Sequence, residues 1–202
     1  MDLLIGTSNA GKLDELQELL GDVAVRLLSL NDVGLGDMDV AEDATTLEEN
    51  AELKVKAYSQ ASGLVTLADD TGLYVDALDG RPGIYPARYG GAGLTMQDRR
   101  QKLLGELQGV PFEKRTARFA CVIAVANPRT GETTHVRGVC EGHIALQEEV
   151  GRGGFGYDPV FIPNGYDVTF SSIPLDEKNR ISHRGVAVQM IIPVLRRMAN
   201  ET

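Results

Sequence analysis

A strand, a helix and a second strand occupy the first 28 residues, and that order does most to restrict how a chain of this kind can fold. Residues 2–6 form an apolar run, 10–20 carry apolar positions at helical spacing up to Gly21, and 23–28 read as a strand again. This βαβ-like opening points to the α/β class. The turn between the first strand and the helix reads Gly6-Thr7-Ser8-Asn9-Ala10-Gly11-Lys12. Backbone N–H groups in a first helical turn lack intrahelical partners, and with the helix dipole and one lysine they can hold an anion. Gly6 and Gly11-Lys12 satisfy most of a P-loop, but the Ser or Thr that would bind magnesium there is Leu13. A phosphate ligand at this turn therefore needs its metal held by carboxylates elsewhere.

With 202 residues the chain can build one well-cored domain or two small lobes around a cleft, and the whole of 1–202 is read as a single functional domain. A formal net charge of −9 argues against nucleic acid or an anionic membrane as partner, because those need a basic face. No apolar run approaches the ~20 residues of a membrane span, and Asp2 stands where a secretory leader carries positive charge, so the cytoplasm is the expected location. Cys121 and Cys140 lie in β-like apolar surroundings without metal spacing and read as buried or half-buried thiols.

Further along, Thr46 and Glu49 form a capping box that starts a helix running to about Ala61. Residues 64–68 are a short buried strand delivering the chain into an acidic turn, Asp69-Asp70-Thr71-Gly72. The stretch from Asp76 to Gly93 is rich in Gly, Pro and Tyr and reads as a long ordered loop. A helix near 95–108, a hairpin of 116–126 with 132–140, and a second glycine-rich loop over 151–159 follow. Residues 182–200 are helix-like, with a kink expected at Pro193 and a solvated face carrying Arg196 and Arg197.

Four clusters carry chemistry: Thr7 to Lys12, Glu42 with Asp69 and Asp70, Phe155 to Asp158, and Lys178 with His183 and Arg184. Each has an ordinary structural explanation: a plain helix start, a capped turn, a core aromatic and a polar helix start. Together they match the sections of a nucleoside triphosphate. The turn suits the phosphates, the carboxylates suit Mg²⁺, and an aromatic face with cationic donors suits a base. A carboxylate beside a metal can deprotonate water for direct attack. The chain carries no GxSxG and no dinucleotide-binding fingerprint.

Six motifs in order complete the pattern: Thr7, Asn9, Lys12 and Glu15; Glu42, Thr46, Glu49, Asn50 and Ala51; Ala68 to Leu73; Pro82 to Tyr89; Gly154 to Pro159; and Glu177 to Arg184. The chain thereby resembles the inosine/xanthosine triphosphate pyrophosphatase family, with Ala44 and Leu47 departing from the Gly and Phe common in it. The resemblance implies an elongated mixed α/β sheet with two lobes and a central cleft, and a homodimer. It also implies Mg²⁺-dependent cleavage of ITP, dITP and XTP between the α- and β-phosphates, cleansing the nucleotide pool. Carried over, Thr7, Ser8, Asn9, Ala10, Gly11 and Lys12 hold the phosphates, Glu42 and Asp70 bind metal, and Asp70 is the proton acceptor. Thr71 touches substrate, and Phe155, Gly156, Tyr157, Asp158, Lys178, His183 and Arg184 form the nucleoside pocket. Three rivals remain: a pyrophosphatase for modified pyrimidine triphosphates, a non-hydrolytic nucleotide sensor and, weakest given Leu13, a P-loop kinase or GTPase.

Overall fold

The computed structural model describes residues 1–149, 151 and 153–200. The chain order is β1 (Asp2–Ile5), α1 (Ala10–Leu19), β2 (Arg26–Ser29), α2 (Leu47–Ser62), β3 (Val65–Val75), β4 (Pro82–Gly83), α3 (Met96–Glu106), β5 (Thr116–Ala126), β6 (Thr133–Ile144), β7 (Phe161–Pro163), α4 (Leu175–Ile181) and α5 (His183–Asn200). The seven strands form one mixed sheet in the order β2-β1-β3-β5-β6-β7, with β4 paired to β3. β1 lies parallel to both β2 and β3, as the βαβ-like opening requires, whereas β6–β7 and β3–β4 are antiparallel.

Two compact units divide the chain, the first comprising 1–70, 121–138 and 184–202 and the second 71–120 and 139–183. In the first, Leu3 and Ile5 of β1, Val65 and Leu67 of β3, and Ile123 and Val125 of β5 bury their alternate side chains against Leu16 of α1 and Ala187, Val188, Ile191 and Leu195 of α5. The period-2 positions of the strands meet the 3.6-period stripe of the helices, and each fully buried Leu or Ile adds about 1.5–3 kcal/mol. Pro193 falls on the exposed side of α5, away from that stripe. The second unit has an aromatic core, in which the Phe161 ring lies 4.7 Å from Phe119 and 5.2 Å from Phe170.

Several elements differ from their sequence reading. β2 begins at Arg26 rather than residue 23, β6 extends to Ile144, and α4 was not anticipated. The larger correction is at Asp69 and Asp70, which lie inside the eleven-residue β3 and not in a turn. Aspartate disfavours strands, but tertiary partners override that preference where both carboxylates are paired. The Thr46 cap is present, with the Glu49 N–H donating to Thr46 Oγ1 at 3.1 Å. Glu49 Oε2 in turn accepts from the backbone N–H and hydroxyl of Thr45 at 3.1 and 3.2 Å. Both cysteines are buried free thiols.

Candidate active site

Gly6 follows the last residue of β1, and its N–H donates to Leu67 O at 2.7 Å. A Cβ at Gly6 would lie 2.8 Å from Tyr58 Cδ2, so this approach to β3 and α2 requires glycine. The chain then turns into α1 through two local bonds: the Asn9 N–H donates to Thr7 Oγ1 at 3.2 Å, and the Lys12 N–H donates to Asn9 Oδ1 at 3.2 Å. Asn9 is thus the N-cap. Ser8, Asn9 and Ala10 are exposed and Thr7, Gly11 and Lys12 half-buried, leaving the helix start open to an anion.

Strand alternation sends the two neighbouring aspartates of β3 to opposite faces, and their partners confirm it. Asp69 Oδ2 receives Lys12 Nζ at 3.1 Å, Arg184 Nη2 at 3.1 Å and Arg184 Nε at 3.3 Å, from α1 and α5. Arg184 Nη1 also donates to Glu15. Burial alone would raise the Asp69 carboxyl, but the charges of Lys12, Arg184 and Lys54 hold it well below the usual carboxylate range. Arg184, itself buried, is kept charged above its ordinary value by Asp69 and Glu15 against the cost of burial.

Asp70 faces α2. Lys54 Nζ lies 3.1 Å from Asp70 Oδ1 and 3.2 Å from Glu42 Oε2, while Asn50 Nδ2 donates to Asp70 Oδ2 at 3.3 Å. Burial pushes the Asp70 carboxyl up to about 6, and the Glu42 charge adds to the rise against Lys54 and Lys12. Glu42 goes the other way, held below its ordinary value despite partial burial because Lys54 and a hydrogen bond with Asp70 favour its ionised form. One carboxylate is thus kept ionised and its neighbour is poised to take a proton near neutrality.

Lys54 was missed by sequence reasoning, and Asn50 was named there only as a motif residue, without a role. The buried face of α2 includes Asn50, Ala51, Lys54, Val55 and Tyr58, so an amide and a lysine occupy core positions four residues apart. Burial of a charge is costly unless it is paired, and that placement was the available signal.

In the second unit, Gly154 (φ +87°) and Gly156 (φ +62°) adopt left-handed backbone and wrap the loop around the Asp158 carboxylate. Asp158 Oδ2 accepts from the Phe155 N–H at 2.8 Å and from Lys178 Nζ at 2.7 Å. The Lys178 ammonium lies 5.4 Å over the Phe155 ring and 5.7 Å over Phe170. Tyr157 is buried with its hydroxyl donating to Pro86 O at 2.9 Å. The His183 ring stacks on Phe119 at 4.5 Å and 14°. Thr71 is half-buried in β3. Arg152 of the glycine-rich stretch lies outside the described residues.

The first unit therefore gathers Thr7 to Lys12, Glu42, Asp69, Asp70 and Arg184, and the second gathers Phe155 to Asp158 with Lys178. Arg184 spends its guanidinium on Asp69 and Glu15, a placement its sequence context did not suggest.

A family model described as the Ham1 family matches residues 3–194. The chain belongs to the Ham1 family. It is 44% identical over 189 residues to the dITP/XTP pyrophosphatase of Oceanobacillus iheyensis, covering 94% of this chain and 95% of that protein. Among solved structures, the Ham1 protein of Staphylococcus aureus is 34% identical and superimposes with a TM-score of 0.83 over 100% of both chains. The HAM1 protein of Coxiella burnetii, 35% identical, gives 0.86 over 98% of this chain and 99% of its own. A mixed α/β sheet is therefore common to this Ham1 chain and its structural neighbours.

Proposed function

We propose that this chain is a nucleoside triphosphate pyrophosphatase that hydrolyses ITP, dITP and XTP to the monophosphate and pyrophosphate, with Asp70 as general base. Membership of the Ham1 family and near-full-length identity to a protein named dITP/XTP pyrophosphatase support the reaction. The observation that carries the assignment of residues is the carboxylate pair on Lys54. Asp70, raised to about 6, is mostly ionised at neutral pH yet basic enough to accept a proton from water, the range in which a general base works best. Asn50 on Oδ2 and Lys54 on Oδ1 hold its plane.

Glu42 and Asp70 already share one cation, the Lys54 ammonium, and hard carboxylate oxygens of this kind suit Mg²⁺. When bound, the ion would supply neutralisation of charge along the phosphate chain. Asp69 is committed to Lys12 and Arg184, so it serves as their counter-ion and steadies Lys12 beside the helix start. Thr7, Ser8, Asn9, Ala10, Gly11 and Lys12 would bind the phosphates through backbone N–H groups and the lysine.

Phe155 would stack on the purine, with Gly156, Tyr157 and Asp158 shaping the loop, Thr71 and His183 adding contacts, and Lys178 donating toward the 6-oxo group. Arg184 would act through Asp69. Hypoxanthine and xanthine offer a 6-oxo acceptor, whereas adenine offers an amino donor that would face another donor. A buried donor left unpaired costs about 1–3 kcal/mol, so a few such contacts reject ATP by orders of magnitude. A homodimer in the cytoplasm acting on a small molecule, without nucleic acid or membrane partners, completes the reading. Among the described residues no helix is long and apolar enough to cross a membrane.

The test is pyrophosphate release from ITP, XTP, GTP, ATP and dUTP, with Mg²⁺ and with chelator. Fast Mg²⁺-dependent release from ITP and XTP, with ATP and GTP nearly intact, is expected. Orthophosphate as product, or equal rates on all five, would overturn the account of what is recognised and cleaved.

A further inference from the structure

Two left-handed glycines and an adjacent glycine at 153 make the Phe155 loop costly to order, so whatever holds it decides where the Phe155 ring stands. Its own bonds are short-range: the Phe155 N–H to Asp158 Oδ2, and the Asp158 N–H to Phe155 O at 3.1 Å. Elsewhere the loop is held through Gly153, whose N–H donates to Ser171 O at 3.3 Å, and through Asp158, which accepts from Lys178 of α4 at 2.7 Å. α3 supplies the tie next to Phe155 itself. Arg100 Nη1 donates to Gly156 O at 2.8 Å, the carbonyl that follows Phe155 by one residue. The same guanidinium is clamped by Glu148 Oε1, 2.8 Å from Nε and 2.6 Å from Nη2. Glu148 Oε2 accepts from Gln101 Nε2 at 2.8 Å, so consecutive residues of α3 grip both oxygens of one carboxylate.

The geometry points to Arg100 as a positioning residue for purine recognition, acting through the Gly156 carbonyl to hold Phe155 against Lys178. The side chains of Arg100 and Glu148 are only 13% and 10% exposed, so water screens the pair weakly and cannot readily replace either partner. The planar fork of arginine is required because one group must serve the carboxylate from two nitrogens and the carbonyl from the third; an ammonium presents no such fixed fork. The next residue extends the same logic. Arg99 Nη1 donates to Tyr89 O and, at 2.9 Å, to Gly91 O, so α3 also anchors the chain that carries Pro86, the acceptor of the Tyr157 hydroxyl. Tyr157 follows Gly156 directly, and the loop is thereby tied at two successive residues.

This inference rests on the reading of Phe155 and Lys178 as the purine-binding groups, and the experiment separates the two. Arg100→Lys, Glu148→Gln and Phe155→Ala are compared with the parent protein for kcat and KM on ITP, and for inhibition by each product, IMP and pyrophosphate. Pyrophosphate has no base, so a loosened Phe155 loop leaves its inhibition constant unmoved, whereas general damage to the fold shifts both.

For Arg100→Lys, KM for ITP and the inhibition constant of IMP are expected to rise roughly tenfold, the size of one lost charge-assisted bond, with kcat within about threefold. Glu148→Gln keeps the shape of the clamp without its charge and is expected to move the same two constants by about threefold. It carries the test if Arg100→Lys does not fold. A normal KM and IMP constant in both variants, while Phe155→Ala raises them, overturns the role of Arg100 alone. An equal rise for IMP and pyrophosphate overturns it too, in favour of a purely structural bond. Unchanged constants in Phe155→Ala overturn the purine-pocket reading and the inference together.

Discussion

The Asp70 region and the Asp158 region are each built on a buried aspartate paired with a buried lysine, and they differ in what stands next to the pair. Beside Asp70–Lys54 stands a second carboxylate, Glu42, so two anions compete for one ammonium and burial with mutual repulsion lifts Asp70 to about 6. Beside Asp158–Lys178 stand the rings of Phe155 and Phe170 and a backbone N–H. The same ion pair thus becomes a proton acceptor with capacity for a divalent cation in one setting, and a fixed donor on an aromatic floor in the other. Neighbours rather than residue type set the chemistry.

The comparison breaks most visibly at Asp70. Asp70→Asn should lower kcat for pyrophosphate release from ITP by about 10²–10⁴, the usual contribution of a positioned base, while nucleotide affinity measured by calorimetry stays within about tenfold. Unchanged turnover would remove Asp70 from the role of base.

Lys54→Met tests the competition directly. Without the ammonium, Asp70 and Glu42 face each other uncompensated, so the Asp70 carboxyl in the metal-free protein should titrate above 6, read by carbon NMR of the side-chain carboxyl, and turnover should fall by roughly 10–100-fold. An unmoved titration would mean that Lys54 does not govern the pair.

On the other side, Phe155→Ala should raise KM for ITP about tenfold and leave kcat within about threefold, since base–aromatic stacking is worth about 1–3 kcal/mol per base. A fall in kcat alone would place Phe155 nearer the reacting phosphates than the purine.

A smaller effect concerns stability. The folded Asp70 carboxyl lies above its ordinary value of 3.8, so its contribution is fully present below about pH 4 and is lost as pH rises through about 6. Asparagine mimics the protonated form, so in chelator Asp70→Asn should raise Tm by a few degrees at pH 8 and hardly at all at pH 4. The reverse order would contradict the raised carboxyl.

Smallest is Arg197→Ala. Its pair with Glu132 is about half exposed on both sides, and Tm should move by no more than about 2 °C because solvent screens such contacts.

Much of this chain was readable before folding. The strand–helix–strand opening, the Thr46 helix start, the hairpin and the glycine-rich loops depend on short-range periodicity, on caps that satisfy orphan N–H groups and on glycines that alone tolerate positive φ. The six motifs likewise placed Thr7 to Lys12, Glu42, Asp70, Phe155 to Asp158 and Lys178 on the list of candidate groups. Position along the chain did not reveal what each carboxylate and cation meets. That Asp69 turns to Lys12 and Arg184 while Asp70 turns to Asn50 and Lys54 follows from their lying in a strand, where alternate residues face opposite sides. That Arg184 is a buried counter-ion, that Lys54 joins Glu42 to Asp70, and that Arg100 reaches Gly156 depend on contacts 12 to 169 residues apart. Charge interactions act through space, across whatever dielectric the packed chain leaves around them, so the residue types were legible in the sequence while their pairings and proton affinities were decided by the tertiary structure.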